Sequence, residues 1–173
     1  MMKSREFKMP IFGVGPIYVF TCLILTIAGI WLHLNGYIYQ GNMIKGKIFF
    51  IIAGIFMIIL GIYLWIQAVL VQKINKKVTE KKLITTGVYS IVRNPVYSAF
   101  TIIFTGLLLF TANYILLILP FVFWAFLTIL MKNTEEKWLK NEFGEQYEIY
   151  LKQVNRVIPW IKRRLILFKH LQL

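Results

Sequence analysis

Residues 96–131 read VYSAFTIIFTGLLLFTANYILLILPFVFWAFLTILM, a run that contains no charged side chain. A helix needs about 20 residues to cross the hydrocarbon core of a bilayer, so this run is too long for one crossing. The polar triplet at 111–113 predicts a break between two closely connected helices, at 96–110 and 114–131. The sequence therefore predicts a hairpin of two membrane helices.

Two more apolar runs precede the hairpin, at 17–34 and 48–71, and a polar turn at 40–42 separates them. Together the four runs predict an all-α fold, a polytopic bundle of about four transmembrane helices in a single domain that spans 1–173. None of the runs contains Asp, Glu, Lys or Arg. Pumps and proton-coupled transporters need such groups at membrane depth, so the sequence disfavours transport.

Positive charge is concentrated beside the apolar runs. The chain has a formal net charge of +13, with six Lys or Arg in 72–93 and nine after Met131. Because cytoplasmic loops carry the excess of basic residues, we predict a multi-pass protein with both termini in the cytoplasm, in the plasma membrane if the source is prokaryotic. Basic residues at the ends of membrane helices contact anionic lipid headgroups, which disfavours nucleic acid as a partner.

A further helical pattern follows the hairpin. Apolar residues recur there at three- or four-residue spacing, with charged residues on the other faces. They are Leu139, Phe143, Tyr147, Tyr150 and Val154. The pattern predicts a cytoplasmic interfacial helix that lies on the membrane or against the bundle, and Gly144 is expected to end or kink it.

The chain offers little for metal or disulfide chemistry. Cys22 is its single cysteine, and His33 and His170 are far apart in sequence, so we predict no metal site and no disulfide within the chain. The Gly-Val-Gly triplet at 13–15 follows no strand and is typical of a flexible lead-in to a helix rather than a phosphate-binding loop.

The segment before the third predicted helix suits an anionic ligand. Arg93, Asn94 and Pro95 directly precede that helix, where unpaired backbone N–H groups and the helix dipole favour negative charge. Arg93 is able to hold a carboxylate with two parallel hydrogen bonds. The alternative interpretation is that Gly87 and Pro95 only shape a turn while Arg93 binds lipid phosphate.

Glu135 and Glu136 follow the fourth predicted helix. Adjacent residues on a helix point about 100° apart, so the two carboxylates cannot form a paired acid and base on one face. We expect one to face a site and the other to pair outward, as Glu136 would with Lys140 four residues later. A carboxylate at this place accepts hydrogen bonds from an ammonium group or a ribose diol. The alternative is a solvated first turn beyond the membrane.

Two motifs carry a family resemblance. Residues 87–97, GVYSIVRNPVY, resemble the G-x-Y-x-x-x-R-[HN]-P-x-Y signature of the isoprenylcysteine carboxyl methyltransferase and phospholipid methyltransferase superfamily. Residues 135–139, 143–150 and 154–159 are similar to its E-E-x-x-L, F-G-x-x-Y-x-x-Y and V-x-R-x-[IL]-P pattern. The resemblance covers about 83–160, which would be the cofactor-binding region.

The resemblance implies an integral membrane methyltransferase that holds S-adenosylmethionine on the cytoplasmic side. It implies that Arg156 closes or steadies the pocket, and we predict that Arg156 also contacts the substrate. Cofactor binding falls to Gly87, Val88, Tyr89, Val92, Arg93, Asn94, Pro95, Tyr97, Glu135 and Glu136. Among these, Arg93 and Glu135 are the predicted catalytic residues. Asn94 stands where the carboxyl methyltransferases best matched to prenylated proteins have His, and Asn cannot carry a proton or a charge.

The sulfonium of this cofactor already activates the methyl group, so catalysis requires mainly that a nucleophile lies in line with the bond. A carboxylate acceptor needs no base, whereas an amine needs Glu135, Glu136 or Tyr89 to take its proton. The sequence therefore favours carboxyl methylation of a lipophilic or lipidated substrate.

Two alternatives stay open, namely N-methylation of a phospholipid headgroup and a non-enzymatic membrane protein that binds lipid or a partner helix. Trp138, with Trp124 and Phe126, is a candidate lipid-facing slot for the substrate, although aromatic residues near a membrane interface commonly serve as anchors. The sequence leaves the oligomeric state open.

Overall fold

The computed structural model describes residues 13–43, 45–72 and 82–157, in which six α-helices follow one another. They are α1 (Gly15–Leu34), α2 (Lys47–Ile66), α3 (Pro95–Leu109), α4 (Leu119–Asn133), α5 (Glu135–Phe143) and α6 (Glu145–Gln153). The predicted all-α bundle is confirmed for these residues. The chain termini, His170 and the last residues of the predicted cofactor region, 158–160, lie outside the described residues.

Three of the described segments are long and apolar enough to cross a membrane. They are Gly15–Leu34, Lys47–Val71 and Leu116–Phe143. The second joins α2 to a short π-helix, and the third joins a 3₁₀ turn to α4 and α5. Helix α3 is apolar but has only 15 residues. These lengths support a helical membrane bundle, and the count of four crossings stays a prediction.

Glycines let α2 and α3 approach each other closely. A Cβ atom on Gly54 would lie 2.7 Å from the carbonyl oxygen of Gly106, and one on Gly61 would lie 2.9 Å from the carbonyl oxygen of Ala99. The two contacts run in opposite order along the chain, so the helices are antiparallel. Such backbone approach is how membrane helices pack without long side chains.

A second set of contacts joins α1, α3 and α4. Its fully buried side chains are Tyr18, Cys22, Leu108, Phe123, Leu127 and Met131. The Tyr18 hydroxyl lies 2.6 Å from Thr101 Oγ1 in α3, so the polar end of this buried ring is paired.

The end of the bundle remote from the glutamates is closed by Asn113, whose side chain is fully buried. Its Nδ2 donates to the carbonyl oxygen of Ile38 at 2.8 Å and to Asn42 Oδ1 at 3.1 Å, while Ile115 N–H donates to its Oδ1 at 3.0 Å. Residue Ala112 has a φ of +46°, which turns the chain sharply between α3 and α4. The polar triplet at 111–113 thus ties the two loops at this end together.

The region after α4 contains two helices where one broken or kinked helix was predicted. Gly144 adopts a φ of +51°, which favours glycine, and separates α5 from α6. Tyr147, Tyr150 and Val154 form a buried cluster with Leu83 and neighbouring apolar side chains. Part of the predicted apolar stripe therefore packs against the protein itself.

Candidate functional site

A tight turn places Arg93 at the start of α3. The preceding 3₁₀ turn, Gly87–Ser90, begins with a φ of +61°, and a Cβ on Gly87 would lie 2.1 Å from Gln72 Nε2. Only glycine fits there without displacement. Pro95 is the first residue of α3, where the absent N–H costs no helical hydrogen bond.

Arg93, Glu136 and Arg156 form a buried cluster of charges. Glu136 Oε1 lies 3.2 Å from Arg93 Nη1, and Arg156 donates from Nε and Nη2 to the two oxygens of Glu136 at 2.7 and 3.0 Å. Their side chains are 8%, 10% and 13% exposed, for Arg93, Glu136 and Arg156 in turn. The predicted pairing of Glu136 with Lys140 is wrong, because two arginines from other elements hold this carboxylate and Lys140 lies 3.6 Å from Glu148.

Backbone pairing brings Arg156 to this place. Arg93 N–H donates to the carbonyl oxygen of Asn155 at 2.8 Å, and Asn94 N–H donates to that of Arg156 at 3.2 Å. Val92 and Asn155 form a parallel bridge beside them. The segment after α6 therefore lies along the turn before α3.

Glu135 faces the other way, toward α1 and α3. Its Oε1 accepts a hydrogen bond of 2.5 Å from the Tyr97 hydroxyl and one of 3.0 Å from Val14 N–H. The expected divergence of Glu135 and Glu136 is thus present, with each carboxylate bound to different elements. The sequence did not predict the contact with Val14, because residues 13–15 were expected to be a flexible lead-in to the helix.

Tyr147 and Tyr150 of α6 lie near the Arg93 guanidinium, and Tyr89 of the turn before α3 contacts Tyr150. The Tyr150 hydroxyl donates to the carbonyl oxygen of Tyr89 at 2.5 Å. Burial raises the pKa of Tyr147 to about 12, against the lowering effect of the nearby Arg93 guanidinium. Burial also raises the pKa of Tyr150, and burial together with the Glu135 carboxylate raises that of Tyr89. All three phenols are therefore neutral near pH 7.

Arg93 keeps donor capacity despite its burial. Among the described residues, its Nε and Nη1 have no hydrogen-bond partner, although Nη1 lies within ion-pair distance of Glu136. The Nε–H of this buried guanidinium is therefore a donor that a ligand carboxylate is able to accept from.

The other predicted site residues are distributed around this centre. Val88, Tyr89, Val92 and Pro95 are buried, while Asn94 is half-buried and Gly87 is exposed. Trp138 is half-buried and packs against the core formed by α1, α3 and α4.

Within residues 13–43, 45–72 and 82–157, no three His, Cys, Asp or Glu side chains lie close enough together to hold a metal ion.

About half of this chain is similar in sequence to known proteins. A family model described as phospholipid methyltransferase matches residues 49–146. Protein-S-isoprenylcysteine O-methyltransferase of Schizosaccharomyces pombe is 35% identical over 88 residues, which are 50% of this chain and 37% of that protein. Methanethiol S-methyltransferase 1 of Bradyrhizobium diazoefficiens is 30% identical over 87 residues, 50% of this chain and 30% of that protein.

A plant relative gives a similar picture. Protein-S-isoprenylcysteine O-methyltransferase B of Arabidopsis thaliana is 38% identical over 81 residues, 46% of this chain and 41% of that protein. The chain thus spans less than half the length of the curated relatives it matches. No solved structure matches the chain.

Proposed function

This chain belongs to the phospholipid methyltransferase family, and on that premise we propose that it transfers a methyl group from S-adenosylmethionine to a lipophilic acceptor. The observation that carries the proposal is that the buried Arg93–Glu136 pair and the neighbouring Glu135, which is hydrogen-bonded to Tyr97, lie at one end of an apolar helical bundle. We place this end on the cytoplasmic side of a bundle that crosses the membrane four times, because Lys and Arg are concentrated in the sequence that precedes α3 and in the sequence that follows α4.

The described residues fit the proposed cofactor. The unpartnered Nε–H of Arg93 suits its carboxylate, and Glu135 suits its ammonium group or its ribose diol. The lining would also include the turn before α3 and Tyr97. The proposed cofactor-binding residues are Gly87, Val88, Tyr89, Val92, Arg93, Asn94, Pro95, Tyr97, Glu135 and Glu136.

When bound, the cofactor supplies a methyl group that is already activated by the sulfonium. The protein's task is then to orient the reactants and to exclude water. Glu136 and Arg156 hold the Arg93 side chain in one place, so that it does not have to be ordered on binding. Tyr97 and Val14 do the same for Glu135. Arg93 and Glu135 are therefore our candidates for catalytic residues, and Arg156 for a residue that positions Arg93 and contacts the substrate.

The acceptor that fits best is a carboxylate on a lipophilic molecule. Glu136 is engaged by two arginines, and the raised pKa of Tyr89 means that its phenol has no anionic form near pH 7 to take a proton. Glu135 is then the remaining candidate base among the three that were predicted. A carboxylate needs no base, and two of the relatives named above are isoprenylcysteine O-methyltransferases. Trp138 is our candidate for a lipid-facing substrate contact.

The test is methyl transfer by the purified protein in lipid nanodiscs. The reaction receives methyl-labelled S-adenosylmethionine with either a prenylated cysteine that has a free carboxylate or phosphatidylethanolamine. We expect a base-labile methyl ester on the prenylated cysteine, abolished by Arg93→Ala and retained by Lys140→Ala, whose side chain is half-exposed and forms the surface pair with Glu148.

Other outcomes correct the proposal at different levels. A label on the phospholipid that resists mild base would identify the headgroup amine as the acceptor and would overturn the carboxylate assignment. Failure to bind S-adenosylmethionine at all would contradict the proposed methyltransferase activity and would favour a lipid-binding or partner-binding membrane protein.

A further inference from the structure

The start of α1 contacts the proposed site directly. Val14 is buried, and its N–H donates to Glu135 Oε1 across 121 positions of sequence. Gly13 has a φ of +50°, and a Cβ atom there would lie 2.1 Å from the same oxygen. A Cβ on Gly15 would lie 3.3 Å from the ring and hydroxyl of Tyr97. The Gly13–Val14 turn therefore leaves no space between itself and the Glu135 carboxylate.

The two hydrogen bonds to Glu135 Oε1 come from different parts of the fold. Val14 is the residue directly before α1, and its N–H has no partner within that helix. The Tyr97 hydroxyl comes from α3. A carboxylate held by donors from two elements has little freedom to change its rotamer, so the position of α1 fixes the direction of Glu135.

We infer that the Gly13–Val14 turn is a positioning element of the site, which holds Glu135 in the orientation that binds the cofactor. The inference rests on the proposed function, because it gives the turn a part in that same site. The turn lies outside residues 49–146, the segment that the family model matches. It therefore extends the functional region to the start of the first helix.

The test is a binding titration with S-adenosylhomocysteine, the cofactor product, in detergent micelles by isothermal calorimetry. Gly13→Ala introduces a methyl group that meets Glu135 Oε1. Gly36→Ala is the matched control, since Gly36 has a φ of +79° and a Cβ there meets nothing within 4 Å. Both substitutions strain a left-handed backbone, and only the first collides with the site. Thermal unfolding of each variant checks that the fold is retained.

A double variant separates positioning from general damage. Glu135→Asp shortens the side chain by one methylene, which makes room for the added methyl group. We expect Gly13→Ala to weaken binding about tenfold, the scale of one lost hydrogen bond to a charged group. Gly36→Ala should change it less than about twofold. The double variant Gly13→Ala with Glu135→Asp should bind no more weakly than Glu135→Asp alone.

The outcomes distinguish this inference from the proposed function. If the unsubstituted protein binds the product and Gly13→Ala binds it equally well, the inference is overturned and the proposed function stands. Multiplying effects in the double variant overturn the inference as well, because they mean that Gly13 and Glu135 act independently. If the unsubstituted protein does not bind the product, both fail together.

Discussion

Removal of the Glu136 carboxylate should destabilise the protein strongly. Glu136 is the acidic partner of both Arg93 and Arg156 in a cluster where each side chain is at most 13% exposed. Glu136→Ala leaves two buried guanidinium groups without that partner. Loss of one member of a buried ion pair costs about 3–5 kcal/mol, since the remaining charge is desolvated and uncompensated. The free energy of unfolding should fall by that amount.

A surface pair in the same region provides the control. Lys140 and Glu148 lie 3.6 Å apart, and their side chains are 47% and 57% exposed. Exposed pairs contribute less than about 1 kcal/mol, so Glu148→Ala should have little effect. Glu136→Gln keeps the size of the side chain and one acceptor oxygen. Its loss in free energy of unfolding should therefore lie between those of Glu136→Ala and Glu148→Ala.

The assay is unfolding by sodium dodecyl sulfate in mixed micelles, followed by far-ultraviolet circular dichroism. The midpoint and slope give the free energy of unfolding of each variant. Equal destabilisation by Glu136→Ala and Glu148→Ala would refute the reasoning, because it would mean that burial does not distinguish the two ion pairs.

Three further outcomes are expected from the same assay. Tyr150→Phe should lower the free energy of unfolding by about 1 kcal/mol, because it removes the 2.5 Å hydrogen bond to the carbonyl oxygen of Tyr89. An unchanged free energy of unfolding would contradict a stabilising role for that hydrogen bond. Gly54→Ala should lower it by about 1–3 kcal/mol, since the methyl group meets the carbonyl oxygen of Gly106 at 2.7 Å and α2 must shift; a neutral result would contradict the close packing. Burial raises the pKa of Tyr147 from 10.0 to about 12, so the unfolded chain loses this proton at a lower pH than the folded protein does. The contribution of the Tyr147 pKa shift to the free energy of unfolding is therefore complete below pH 10 and is lost as the pH rises to about 12. Tyr147→Phe should make the loss of stability over that pH range smaller, and an identical pH profile would contradict the assignment.

Local sequence rules predicted much of the bundle. The apolar runs predicted helices because a membrane helix satisfies its own backbone, and Thr111 to Asn113 marked the turn because polar residues interrupt such runs. The divergence of Glu135 and Glu136 followed from the helical repeat alone. Gly144 was expected to interrupt the last helix, and it does so with a left-handed backbone.

Contacts between distant segments escaped these rules. The i to i+4 rule offered Lys140 as a partner for Glu136, but two arginines brought in by other elements are buried with it instead. Arg156 reaches the cluster because the backbone of its segment pairs with the turn before α3. Backbone pairing of this kind is not marked by the type of side chain. The contact of Val14 with Glu135 uses a main-chain N–H, so no residue type marked it. The glycine at position 13 was the one available signal, since its missing side chain is what the close approach requires.

We propose that the turn bearing Arg93 and the carboxylate of Glu135 bind one methyl-donor molecule together. The most direct measurement is an experimental structure of the protein bound to S-adenosylhomocysteine in a lipid nanodisc. We predict that the carboxylate of the ligand contacts the Arg93 guanidinium and that its ammonium group or ribose contacts Glu135. A ligand bound elsewhere, with neither side chain in contact, would contradict the account.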